Sequence, residues 1–223
     1  MAGHHHHVDP NAGDRRIAAA VGVNLALTVA QIIGGILSGS LALIADAIHN
    51  LSDALALVIA FGARKIARRP ADANMTFGYA RAEVVAALIN YTTLIVIGLW
   101  LVYEGIARLI TPEGVNGWLV IWIAGFALII DLITAALTYT MSKDSMNIRA
   151  AFLHNVSDAL GSVGVIVAGV LILIFGWTWV DPVVTLGIAG YILWQSFSEI
   201  GPVIRLLMLG SPPEANADAI IAD

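Results

Sequence analysis

The sequence predicts an all-α membrane protein of six transmembrane helices. Three observations carry that prediction. Hydrophobic residues make up 59% of the 223 residues and charged residues 12%, against roughly 45–50% and about 25% in soluble domains. Six stretches are apolar over about the 20 residues that a bilayer-crossing helix needs. Ten of the 11 lysines and arginines fall on one side if the chain crosses six times. So apolar a chain cannot cover its surface with polar groups in water, which excludes disorder, a coiled-coil rod and an ordinary cytosolic enzyme.

The first stretch, Ile17–Leu37, has 21 residues. It is too long for a signal-peptide core and lacks a small-residue cleavage site, so it reads as a span. Ser38-Gly39-Ser40 separates it from the second, Leu41–Ala63. Arg69-Pro70-Ala71-Asp72 interrupts the chain before the third, Val84–Tyr103, and Thr111-Pro112-Glu113-Gly114 before the fourth, Trp118–Tyr139. The fifth is Ala150–Phe175, and Asp181-Pro182 opens the sixth, Val183–Ile200. Proline, glycine and aspartate in these breaks are turn chemistry.

Arg15 and Arg16 precede span one; Arg64, Lys65, Arg68, Arg69 and Arg81 lie between two and three; Lys143 and Arg149 lie between four and five; Arg205 follows six. Only Arg108 falls on the other side. The positive-inside rule then places both termini in the cytoplasm. The expected organisation is a cytoplasmic histidine-containing segment over 1–15, a six-helix transmembrane domain over 16–208 and a cytoplasmic tail over 209–223. Trp118, Trp122, Trp177 and Trp179 lie near predicted outer ends, where an aromatic belt would put them. Cysteine is absent, so thiolate sites are excluded, and a net charge of −5 gives no nucleic-acid footprint.

Spans two and five share a motif: His49-Asn50-Leu51-Ser52-Asp53-Ala54-Leu55 and His154-Asn155-Val156-Ser157-Asp158-Ala159-Leu160 match at six of seven positions. Outside His4–His7, these are the only histidines. Residues four apart lie one above the other on a helix face, so each motif aims an imidazole and a carboxylate the same way. Two such faces turned together supply two nitrogens and two oxygens, a set that suits tetrahedral Zn²⁺. By helical rise, Asp53 is roughly 16 Å from Arg64 and Asp158 roughly 13 Å from Arg149, near the middle of a ~30 Å core. Spans two and five run in opposite directions, which allows an inverted 3+3 repeat with the site between its halves. A charge in mid-membrane costs about 2.5–3.5 kcal/mol on insertion scales. A structural His–Asp clasp would explain one such pair, but not two matching pairs.

Asp46, three residues before His49, is read as a pathway carboxylate or a support for the site. Asp131 in span four has no matching partner in sequence; it stands as a pathway residue or a hydrogen-bonder to a neighbouring helix. Gln31, Asn24 and Asn90 are expected to bond between helices, and Gly34-Gly35, Gly161 and Gly164 to allow close approach. His4–His7 is read as a native metal-gathering arm, since purification tags usually carry more histidines.

Taken together, Gly39-Ser40-Leu41-Ala42-Leu43-Ile44-Ala45-Asp46-Ala47-Ile48-His49-Asn50-Leu51-Ser52-Asp53, Thr76-Phe77-Gly78-Tyr79-Ala80-Arg81-Ala82-Glu83 with Asn90, and His154-Asn155-Val156-Ser157-Asp158 resemble the cation diffusion facilitator family in its zinc/proton antiporter branch. The resemblance runs from Asp14 to Gly210. It implies a six-helix fold, a homodimer in the lipid bilayer, and efflux of Zn²⁺ from the cytoplasm in exchange for protons, with no organic cofactor. It maps the transport site onto His49, Asp53, His154 and Asp158. The usual cytoplasmic metal-binding domain after span six is expected to be absent, and Gln31 and Asp131 are unusual for the family. The 141–149 link lacks a histidine-rich insert, which points to a bacterial inner membrane. The nearest alternative keeps the fold and moves Co²⁺, Cd²⁺, Ni²⁺, Fe²⁺ or Mn²⁺. A more distant one is a membrane cytochrome with His49 and His154 as axial haem ligands.

Overall fold

Six helices form where the six apolar stretches lie, in a computed structural model that describes residues 10–141 and 146–210. Side chains before Gly22 and at several later helical positions, His154 among them, fall outside the described residues, as do His4–His7, Lys143 and the 211–223 tail. The helices are α1 (Pro10–Ser38), α2 (Leu41–Ala67), α3 (Ala82–Ile110), α4 (Gly117–Met141), α5 (Met146–Phe175) and α6 (Val180–Leu207). Each apolar stretch sits inside one helix. Most helices run past their apolar stretch, because bilayer thickness limits the apolar run and not the hydrogen-bonded ladder. Among the described residues, Ala82–Ile110, Gly117–Ala136, Asn155–Phe175 and Val180–Leu207 are long and apolar enough to cross a membrane, and Gly22–Ser38 is a shorter apolar helix. No strand occurs among the described residues.

The chain divides into two units. The first comprises Met1–Ala54 and Leu101–Ile188; the second comprises Leu55–Trp100 and Ala189–Asp223.

In the first unit, α4 shows how the sequence sorts its faces. Trp118, Trp122, Phe126, Ile129 and Ile133 are exposed, while Val120, Ala124, Ala127, Asp131 and Ala135 are buried. Both sets repeat every three or four residues, the helical period. Large apolar side chains facing outward suit a lipid surround. The inward row of small residues lets helices approach, which matters where lipid removes the hydrophobic drive for association. α4 and α5 approach closely at two glycines: a Cβ on Gly117 would stand 2.6 Å from Gly169 O. A Cβ on Gly34 would overlap the Ile123 side chain, which fixes α1 against α4. Gly164 does not act this way; its nearest neighbour, Val184, would be at an ordinary 3.9 Å. Trp118, Trp122, Trp177 and Trp179 are exposed, as the side chains of an interfacial belt would be.

One end of this unit is tied by polar contacts. Gly39 turns the chain between α1 and α2 with φ +74°, a conformation that favours glycine. The first N–H groups of a helix have no partner within it. In α2 those of Leu41 and Ala42 donate to Asp181 Oδ2 at 2.8 and 3.3 Å, and the Ser40 hydroxyl donates to Asp181 Oδ1. Arg108 donates to Gly39 O at 2.7 Å and pairs with Glu104 and Glu113. Arg108 is therefore held in place by its contacts. Asp181, read from sequence as part of a turn, is fully buried in the first turn of α6 and caps α2.

The second unit holds the α2–α3 link. Asp72 organises it: Oδ1 accepts from the backbone N–H of Asn74 and Met75 at 2.8 and 2.9 Å, and Oδ2 accepts from the Tyr79 hydroxyl at 2.8 Å. The Tyr79 hydrogen bond, then the two backbone bonds, hold the Asp72 carboxyl below its ordinary range, and the same bond raises Tyr79. Asn90 lines a small cavity with Glu83, and neither Asn90 nor Asn24 makes a side-chain hydrogen bond among the described residues.

Candidate metal site

α2 places its polar residues on a buried stripe. Asp46, His49, Asn50 and Ser52 are buried among Ala42, Ala45 and Ala47. His49 and Asp53, one turn apart, face α5. Across from them Asp158 is buried at the same depth, 8% exposed like His49. His49 Nε2 lies 3.4 Å from Asp158 Oδ1 and 3.9 Å from Asp53 Oδ2. One ligand atom from each of the three residues falls within 4.8 Å of the others. Ligand atoms around tetrahedral Zn²⁺, with bonds of about 2.0–2.2 Å, sit about 3.4 Å apart. The His49–Asp158 separation already matches that edge. The His49–Asp53 separation is half an ångström longer, and Asp53 is the most accessible of the three. His154 stands four residues before Asp158 on α5; its side chain falls outside the described residues.

A hydrogen-bonded chain runs behind this triad. Gln31 on α1 donates to Asp46 Oδ2 at 2.7 Å and accepts from Asn50 Nδ2 at 3.3 Å. Ser162 on α5 lies 3.2 Å from Asp131 Oδ2 and 3.5 Å from Asp46 Oδ2. A hydroxyl has one proton and donates to one carboxylate at a time, and the shorter contact is to Asp131. Four helices thus meet through five polar side chains, all at most 9% exposed. Gly161 leaves the room: a Cβ there would be 3.1 Å from Asp46 Oδ1. Such contacts offset the cost of burying two carboxylates among apolar helices.

His49, Asp53, Asp46 and Asp131 were all visible in sequence as polar residues inside apolar stretches, and Asp158 through its motif. Ser162 was not, because a serine in a membrane helix is common and its partners are remote in sequence. It lies one turn after Asp158, which is the only local hint of its place.

Residues 17–208 match the cation efflux transmembrane domain family. The chain belongs to this family. Several apolar helices in a cation efflux domain, together with bacterial relatives, make it a multi-pass integral protein of the plasma membrane. Among curated proteins it is 41% identical over 197 residues to a cadmium, cobalt and zinc/H(+)-K(+) antiporter of Bacillus subtilis, which covers 86% of this chain and 63% of that protein. It is 35% identical to the metal cation efflux system protein CzcD of Cupriavidus metallidurans, over 97% of this chain and 68% of the relative. It is 37% identical to the zinc transporter ZitB of Pectobacterium atrosepticum, over 100% of this chain and 70% of the relative. The chain thus spans about two thirds of the length of these relatives.

Proposed function

We propose that the chain is the membrane part of a secondary transporter, not an enzyme, that exports Zn²⁺ from the cytoplasm in exchange for protons. The observation that carries this reading is the His49–Asp53–Asp158 triad, a borderline-soft nitrogen and two carboxylates gathered on two apolar helices. His154 is the proposed fourth ligand, by its place in the matching motif. Metal needs neutral imidazole and ionised carboxylates, so binding releases protons. The same groups then hold metal or protons in turn, and a proton gradient drives metal outward. All six helices are proposed to span, with both termini cytoplasmic, the halves arranged as an inverted repeat and two copies forming the active unit. Asp46 and Asp131 are proposed to support the triad through Gln31 and Ser162.

Other divalent ions are a second reading, favoured by the cadmium and cobalt in the name of the Bacillus relative. The test is Zn²⁺ uptake into proteoliposomes under an imposed pH gradient, repeated with Cd²⁺, Co²⁺ and Mn²⁺. Zn²⁺ flux should collapse with the gradient and should be lost in Asp53→Ala and Asp158→Ala. Flux close to the unsubstituted chain in either variant overturns the site, and flux indifferent to the gradient overturns the exchange.

A further inference from the structure

The second unit contains a feature that the transport reading does not use. Between the end of α2 and the start of α3 lies a cavity of about 750 Å³, within the range of built ligand pockets. Its walls are apolar, set by Ile59, Ala63 and Ile66 of α2 and by Val85 and Ile89 of α3. Ile66, Val85 and Ile89 are more than two fifths exposed, so the space opens sideways, where an apolar helix pair meets acyl chains. Gly62 on its wall carries no side chain, and a Cβ there would meet nothing within 4 Å.

The mouth has the opposite chemistry. Arg81 lines it, and its guanidinium makes no hydrogen bond or ion pair among the described residues. Arg69 is close enough to Tyr79, another lining residue, for its charge to act on the phenol. Lys65 and Arg68 add exposed positive charge at the end of α2. The anions nearby are fewer: Asp72 is already engaged by Tyr79 and two backbone N–H groups, and Glu83 opens on the adjacent smaller cavity. Phe77, in the Asp72-ordered link, is 90% exposed, an aromatic ring placed where an interfacial anchor would lie.

An apolar slot with a guanidinium at its mouth, at the end of a membrane helix, matches one ligand in charge and shape. We infer that this cavity binds an anionic phospholipid, one acyl chain lying between α2 and α3 and the phosphate resting on Arg81. Arginine favours this role because its planar donors match phosphate oxygens in pairs. Basic residues beside a membrane helix read as sites for anionic lipid.

The test uses the full chain, purified in detergent after exchange into vesicles of phosphatidylcholine with phosphatidylglycerol. Native mass spectrometry should find phosphatidylglycerol retained over phosphatidylcholine. Arg81→Gln should reduce that preference at least several-fold and leave the apolar slot open. Gly62→Leu should fill the slot and lower retention of both lipids, with the surface charge unchanged. Should Gly62→Leu fold poorly, a phosphatidylglycerol with a photoreactive acyl chain replaces it; labelling should concentrate in 59–66 and 82–89. Equal retention of both lipids by the unsubstituted chain, or labelling spread evenly along the helices, overturns the inference. So does a change in oligomeric state in these variants with lipid retention unaltered, which would assign the face to a second copy.

Discussion

Gln31 donates its side-chain amide to Asp46 at 2.7 Å, joining α1 to α2 one turn before His49. The same amide accepts from Asn50 through its oxygen. Gln31 therefore satisfies a carboxylate and an amide together, in a place where water does not reach.

Gln31→Leu should destabilise the protein. A hydrogen bond between membrane helices is worth about 0.6 kcal/mol on average, but a buried group that loses its partner costs about 1–3 kcal/mol. Asp46 is 3% exposed, so the larger range applies. Thermal or denaturant unfolding in detergent reads the loss. A drop near the average for membrane hydrogen bonds would show that Ser162 takes over as donor.

His49→Asp should lower the preference for Zn²⁺ over Mn²⁺. Nitrogen suits Zn²⁺, whereas an added carboxylate makes the site harder and suits Mn²⁺. The ratio of Zn²⁺ to Mn²⁺ flux at matched pH is the measurement. An unchanged ratio would remove His49 from the residues that choose the ion.

Asp181→Ala should cost about 2–3 kcal/mol, between the loss of an N-cap and the loss of hydrogen bonds to a charged group. It strands the Leu41 and Ala42 N–H groups and the Ser40 hydroxyl at once. Asp181→Asn keeps one oxygen acceptor and should lose less. Equal losses in unfolding would mean that charge, not hydrogen bonding, is what α2 needs there.

The α2–α3 link should loosen in acid. The folded Asp72 carboxyl is depressed, first by the Tyr79 hydroxyl and then by the backbone. Its contribution is complete above the unfolded carboxylate value, about pH 4, and fades as pH falls through the lower folded value. Tyr79 is raised by the same bond, so its share is present below the ordinary phenol value and fades as pH rises through the higher folded one. Tyr79→Phe should return Asp72 toward its ordinary range. Carboxyl chemical shifts followed through an acid titration would show this; a titration identical with and without the hydroxyl would contradict it.

The six helices were legible because each needs an apolar run, and such runs are local. Their ends were less so. α3 continues to Ile110 and takes in Arg108, whose pairing with Glu104 one turn back appears only once the segment is known to be helical. The triad was legible because the two motifs repeat and because charge is costly in lipid. Asp181 illustrates the opposite case. A proline-flanked aspartate has the local signature of a turn, and the N–H groups it serves lie about 140 residues away in sequence. Nothing near it in the chain reports that contact.

That distant contact limits how α2 can move. The Ser40 hydroxyl and the first two N–H groups of α2 converge on one carboxylate of α6, while Asn116 N–H donates to Ser38 O and Arg108 to Gly39 O beside it. A piston stroke along the α2 axis would break all of these together, whereas a tilt about Ser40 keeps their lengths nearly constant. In such a tilt the tied end would be the pivot, and Asp53, further along the helix, would travel further than Asp46. Of the two gathered groups on α2, the one farther from that end, Asp53, is also the more exposed.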